Sequence, residues 1–369
     1  MWRNYMIKES RPTVAQINLT YLYDNYCYVQ KHIGNKTLIP VVKANAYGHG
    51  SIEVVSYLYQ KGVRFFAVSL LEEALELKKV YPDIDVLVMG VIFPDDLQTV
   101  SENRITYTIS DSALLQATVE SNFLLKFHIK IDTGMNRLGF KDFDEVMHFM
   151  IQIKTSSNLT LEGVYTHFAT ADSNEQFHLK QRQKFSEFLK VIPYHPPMIH
   201  VSNSSSTMNY EQDIPYTTHV RVGILLYGLT LDEGLDFLKP VMQIKTRIVQ
   251  IKKLAPKDYV SYNITYQAKT HERIGVLPIG YADGLIRKNQ GGAVDINRRR
   301  YTIVGRICMD QTMVKIDDTV KLGDDVVIMG SDIVTTDEVA QRLQTINYEV
   351  ICQITSRVRR VYIKEEVKK

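Results

Sequence analysis

Lys43 ends the apolar run Leu38-Ile39-Pro40-Val41-Val42 and is followed by Ala44-Asn45-Ala46-Tyr47-Gly48-His49-Gly50, small and turn-forming residues. An ammonium at the end of a β-branched stretch is penalised by desolvation, so it must find a partner, lose its proton or react. A lysine with a depressed pKa condenses with an aldehyde to form a Schiff base. The plainer alternative is a strand-end lysine that snorkels to water. Other polar residues recur where apolar runs stop. Lys130, Asp132 and Arg137 lie in Lys130-Ile131-Asp132-Thr133-Gly134-Met135-Asn136-Arg137, and His167 lies in Tyr165-Thr166-His167-Phe168. Asn203-Ser204 and Arg221-Val222-Gly223-Ile224 follow. Hydroxyls and backbone N–H groups at these last two places could cradle a phosphate monoester. Each residue also has a structural reading: Arg137 and Arg221 as ion-pair formers, His167 as a hydrogen-bonded core histidine, Cys308 as a packed thiol.

The elements that must position these residues alternate. Short β-rich runs at Leu38–Lys43, Phe65–Leu70, Val86–Gly90, Ile105–Ile109, Leu124–Ile131, Leu161–Phe168, Met198–Val201 and His219–Leu225 are separated by helix-like stretches such as Ser69–Lys79. Buried strands alternating with helices imply right-handed βαβ units, and eight of them imply a closed (β/α)8 TIM-type barrel. No Gly-x-Gly-x-x-Gly follows the first strand, which disfavours an open doubly wound sheet. In such a barrel working residues gather at the C-terminal strand ends. That is where Lys43, Lys130, His167, Asn203 and Arg221 fall, and a strand-end lysine with a phosphate nest reads as a pyridoxal 5'-phosphate (PLP) site. From Met242 to Ile248 the apolar residues alternate with period two, as in a half-solvated strand. Similar runs follow at Ile274–Ile279, Tyr301–Ile307, Thr312–Ile316 and Asp325–Met329, with a helix at Thr336–Leu343. The expected organisation is a barrel over residues 1–236 and a mostly β C-terminal domain over 237–369.

Composition narrows the class. The 369 residues are 45% hydrophobic and 23% charged, with a formal net charge of +3, which describes a globular protein without a polyanionic partner. Arg298-Arg299-Arg300 has no extended basic or aromatic company, so no nucleic-acid surface is expected. Cys27, Cys308 and Cys352 lack metal-ligand or disulfide spacing, and no metal is expected. No apolar stretch reaches the ~18 residues of a membrane span and the first residues lack a signal-peptide core, so the expected location is the cytoplasm.

The segment Val41–Gly50 resembles the PLP-lysine signature of the bacterial alanine racemases. Arg11–Thr13, Lys130–Gly139, Leu161–Asp172, Arg221–Leu229, Val260–Tyr266, Pro278–Gly284, Val304–Val314 and Ile346–Ile351 match the same family in order. The resemblance implies that Lys43 bonds the cofactor aldehyde, while Tyr47, Asn203, Ser204, Gly223, Ile224 and Tyr348 hold the phosphate side. Arg221 would face the pyridine nitrogen and His167 pack near the ring. Arg137 and the Met309 backbone N–H would contact substrate, Tyr266 serve as the second acid/base, and Tyr281 and Arg306 line the access corridor. It also implies a homodimer with shared active sites, D-alanine supply for peptidoglycan, and carbamylation of Lys130; the alternative for Lys130 is a plain lysine paired with Asp132. Asn136 stands where glycine is usual, Asn263-Ile264 where Gly-Ala is usual, and Arg359 within a usual Arg-Val-Pro-Arg ending. A serine or broad-specificity racemase of the same fold is one competing reading. A non-catalytic PLP carrier is another, but it would leave the C-terminal half and Tyr266 without a purpose.

Overall fold

The computed structural model describes residues 11–364 except 233 and 236. Tyr23–Leu238 forms one compact unit, and the described residues through Leu22 and from Lys239 onward form the other. The chain opens with β1 (Val14–Asn18). Eight strands follow: β2 (Thr37–Pro40), β3 (Phe65–Val68), β4 (Asp85–Val88), β5 (Thr106–Ile109), β6 (Leu125–Lys130), β7 (Leu159–Tyr165), β8 (Met198–His200) and β9 (His219–Val222). They form one parallel eight-stranded sheet in the order β2-β9-β8-β7-β6-β5-β4-β3. The remaining edges meet through a parallel bridge between Val41 and Ala67, where the Val42 N–H donates to the Ala67 carbonyl at 2.9 Å. The sheet is therefore closed, and the fold of this unit is the (β/α)8 barrel.

Barrel strands are covered on both faces, so they are apolar almost without interruption; Tyr107, Ile109, Val86, Leu87 and Val88 are all wholly buried. Side-chain caps set several of the intervening helices. Asp111 accepts from the Leu114 N–H at the start of Ser112–Glu120, and Asn174 caps Glu175–Val191 through the Phe177 N–H. Each such cap contributes about 1 kcal/mol.

The second unit is mostly β. Its strands are β10 (Met242–Arg247), β11 (Gln250–Leu254), β12 (Tyr259–Val260), β13 (Tyr266–Gln267), β14 (Glu272–Leu277), β15 (Ala293–Ile296), β16 (Arg299–Thr302), β17 (Thr312–Ile316), β18 (Asp325–Met329) and β19 (Arg359–Ile363). A six-stranded sheet runs β16-β15-β18-β10-β1-β19, a three-stranded sheet runs β11-β14-β17, and β12 pairs with β13. β1 thus lies in the sheet of the second unit, antiparallel to β10 and parallel to β19. β10 alternates buried and half-exposed residues, matching its period-two sequence. Among the described residues no helix is long and apolar enough to cross a membrane.

Candidate active site

Lys43 is reached by an unusual backbone. β2 ends at Pro40, and after the bridge at Val41 the chain enters a turn in which Ala44, Asn45, Ala46 and Tyr47 all have φ near +52°. Left-handed helical backbone disfavours L-residues by about 1–2 kcal/mol each. Hydrogen bonds offset this. Asn45 Oδ1 accepts from the Ser51 N–H at 2.8 Å, the Ala44 N–H donates to Glu73 Oε1 at 2.6 Å, and the Gly50 N–H donates to the Asn45 carbonyl at 2.9 Å. His49 Nδ1 lies 3.0 Å from the carbonyls of both Ala46 and Tyr47, which makes it the protonated ring nitrogen. Gly48 and Gly50, at φ 82° and 102°, let the chain leave the turn. Lys43 is half-buried at the head of this strained segment instead of inside the strand, and stored strain of this kind clusters at functional sites.

The turn also delivers Tyr47 to the exit of β9. A Cβ built on Gly223 would lie 2.3 Å from the Tyr47 hydroxyl oxygen, so that approach is open only to glycine. The Gly223 N–H donates to Ser204 Oγ at 3.2 Å. Ser204 begins the helix Ser204–Asn209, and Ile224 begins a 3-10 turn to Tyr227; the first N–H groups of such turns lack intrahelical acceptors. Two hydroxyls and backbone N–H donors thus converge at a place that only glycine leaves open, as a phosphate monoester requires. Asn203 serves this cradle indirectly: its Oδ1 caps the helix through the Ser206 N–H, and its amide donates to the Phe168 carbonyl.

Around the same barrel mouth stand Lys43, Lys130, Arg137 and Arg221. Lys130 is buried over the Tyr165 ring at 5.5 Å. Burial first, and then Arg137 and Arg221, pull its pKa down to about 8. Asp132 does not pair with it; its Oδ1 accepts the N–H groups of Gly134 and Asn136, and its other oxygen lies 4.0 Å from Lys141. Asn136 adopts φ +56°, the left-handed conformation glycine takes freely and asparagine tolerates. Arg137, exposed beyond it, is left available to a ligand.

Arg221 is held by the barrel core. One Nη donates to His200 Nδ1 and to the His200 carbonyl, both at 2.7 Å; the other donates to the Thr166 and Val201 carbonyls and, at 3.4 Å, to His167 Nδ1. Arginine is an obligate donor, so both histidines accept through Nδ1 and carry their proton on Nε2. Burial, then the Arg221 charge, holds His167 and His200 well below the usual imidazole range. His200 Nε2 continues to His128 Nδ1 at 2.7 Å. Sequence reading missed His128 and His200. Their signal was Gly163, a glycine inside a strand, which marks a close approach: its Cβ would meet the His128 ring at 2.7 Å.

Tyr266, Met309, Tyr281, Arg306 and Tyr348 belong to the second unit. Met309 is exposed and lines a concavity of roughly 620 Å³ with Ser261, Tyr262 and Cys308. The Tyr281 N–H donates to the Cys308 carbonyl at 3.0 Å and the Ala282 N–H to Met309 at 3.1 Å, so these loops are laced together. The Arg306 carbonyl accepts from Ser261 Oγ at 2.5 Å. Tyr348 lies on Asn347–Cys352. Tyr266 donates its hydroxyl hydrogen to Glu272, a partner sequence reading did not anticipate. Asn263 and Ile264 before it have φ of 59° and 53°, a backbone suited to the glycine more usual there.

A closed parallel barrel with a lysine at one strand exit, a cationic mouth and a glycine-dependent anion cradle defines a barrel-type PLP enzyme. The family model for the alanine racemase N-terminal domain matches residues 17–231, and that for the C-terminal domain matches residues 241–362. The chain belongs to the alanine racemase family. It is 38% identical to the alanine racemase of Staphylococcus carnosus, covering 97% of this chain and 96% of that one. Identity to the Listeria monocytogenes enzyme is 39%, over 96% and 98% of the two chains. The crystal structure of alanine racemase from E. faecalis superposes with a TM-score of 0.90 at 33% identity, covering 96% of this chain and 99% of that one. The Bacillus anthracis alanine racemase with bound L-Ala-P gives 0.87 at 34%, over 96% and 95%.

Proposed function

We propose that the protein is an alanine racemase that interconverts L- and D-alanine with PLP, Lys43 and Tyr266 exchanging protons with Cα on opposite faces. The observation that carries this is the barrel mouth, where Lys43 on its left-handed turn shares a cationic site with the cradle of Tyr47, Ser204, Gly223 and Ile224. When bound, PLP supplies an aldehyde for imine formation and a conjugated ring over which charge from the deprotonated Cα spreads. Lys43 would hold the aldehyde and, as a free amine, would take or return the proton on one face. Arg137 orients the substrate carboxylate, with the N–H of the partner subunit's Met309 as second donor. Arg221 would face the ring nitrogen and, as a fixed positive charge, would disfavour its protonation. Lys130, with its pKa pulled down to about 8, has a larger neutral fraction near neutral pH than an ordinary lysine, the form that carbon dioxide carbamylates; as a carbamate it would gain the negative charge that anchors Arg137.

The other face is served by Tyr266 of a second copy, which makes the working form a homodimer with shared sites. His167, neutral and accepting from Arg221 at Nδ1, presents an Nε2–H that stabilises the phenolate of the partner subunit's Tyr266. Tyr348, Tyr281 and Arg306 complete the phosphate side and the access corridor. The role inferred is D-alanine supply for peptidoglycan in the cytoplasm. A chiral assay of the PLP-loaded protein tests the reading. Conversion of L-alanine to a near-equal mixture, with L-serine slower, supports it; a discrimination of about 10–10² is what one added hydroxyl allows. Faster turnover of serine would reassign the substrate, and no racemisation of any amino acid would leave a carrier.

A further inference from the structure

The surroundings of Tyr266 carry a consequence that reaches beyond its role as second base, although the consequence rests on that role. β13 pairs with β12 through Val260 and Tyr266, which lays the phenol ring on the apolar cluster Val260, Ile274 and Val304. The hydroxyl emerges beside the head of β14, where it donates to Glu272 Oε2. Glu272 is only 7% exposed, and its other oxygen meets Lys315 Nζ at 3.0 Å and the Lys269 N–H at 3.3 Å. β14 and β17 are antiparallel with Ile274 opposite Lys315, so Glu272 and Lys315 are diagonal neighbours on one sheet face. Among the described residues, the charged groups facing the hydroxyl are this carboxylate and this ammonium.

We propose that Glu272 and Lys315 are a positioning pair for Tyr266, fixing where the phenol hydroxyl points and where its proton resides. The two act in opposite senses. A buried carboxylate that accepts from the hydroxyl favours the neutral phenol, whereas the ammonium favours the phenolate. Burial and Glu272 raise the Tyr266 pKa, and Lys315 opposes them. A residue that is a base towards one enantiomer and an acid towards the other works best when neither form dominates. Neither Glu272 nor Lys315 needs to touch substrate to set that balance.

The test is an alkaline titration of tyrosinate absorbance in the PLP-loaded protein, each form measured against its Tyr266→Phe counterpart to isolate one phenol among the 22 tyrosines. Glu272→Gln is expected to titrate at lower pH than the parent and Lys315→Met at higher pH. Shifts in the same direction, or none, overturn the pair. Because the two variants carry opposite signs, loss of folding in one leaves the other to decide. The pH profile of racemisation separates this proposal from the reading beneath it. Titration shifts that the profile does not follow support the pair and remove Tyr266 as the second base. Loss of racemisation in Tyr266→Phe without titration shifts keeps the base and removes the pair.

Discussion

Gly223 is where one methyl group has the most direct effect on cofactor binding, because the space its Cβ would take is filled by the Tyr47 hydroxyl 2.3 Å away. Gly223→Ala must push Tyr47 aside and open the cradle while leaving Lys43 in place. PLP retention is expected to weaken by at least about tenfold, roughly 1.4 kcal/mol, with the unfolding midpoint nearly unchanged. Equilibrium dialysis of PLP against parent and variant measures this, and equal affinities would refute the assignment of the cradle. At the same scale lies the clearest limit of sequence reading. Tyr266 was singled out among many tyrosines by its neighbours, but Glu272 and Lys315 were not, since their proximity arises only when β14 pairs with β17. Lys130 was legible as unusual, yet its alternative pairing with Asp132 failed because Asp132 is engaged by backbone N–H groups of its own loop.

The elements divide into those whose periodicity is local and those defined by distant partners. Thr312–Ile316, Asp325–Met329 and the helix Thr336–Leu343 appear with the bounds read from the sequence, since alternation or helical spacing is complete within each. All eight barrel strands were legible for the same reason: they are short, buried and separated by amphipathic helices. β1 and β19 were not, because each is stabilised by pairing between opposite ends of the chain. The first barrel strand stops at Pro40, with one more bridge at Val41, short of Lys43, because the chain then turns into the left-handed segment Ala44–Tyr47. β7 carries a test of how the barrel interior holds Arg221. Gly163→Ala would force the His128 ring off His200, and overpacking of this kind destabilises by about 1–3 kcal/mol. Urea unfolding of the purified variant measures the loss; an unchanged midpoint would mean the His128–His200 contact is not constrained by Gly163.

At the scale of the molecule, histidines buried in neutral form couple stability to pH. Burial holds His128 at about 3 and His200 well below the imidazole range, whereas an unfolded histidine titrates near about 6.5. Below about pH 6.5 the unfolded chain therefore binds more protons than the folded one, and stability falls as pH drops. Each proton so withheld removes about 1.4 kcal/mol per pH unit. Unfolding free energies measured at pH 7, 6 and 5 are expected to decline across a window where carboxylates contribute little, and a flat profile would contradict the neutral assignment. Two bases contributed by two subunits to one site can be separated by subunit mixing. Lys43→Ala and Tyr266→Phe proteins are each expected to be inactive, the latter by about 10²–10⁴-fold. Unfolding and refolding them together pairs them at random, so half the dimers are mixed, each with one intact Lys43 facing the partner subunit's intact Tyr266. Racemisation returning to about a quarter of the parent level is the predicted result; a mixture as inactive as its components would contradict the shared two-base site.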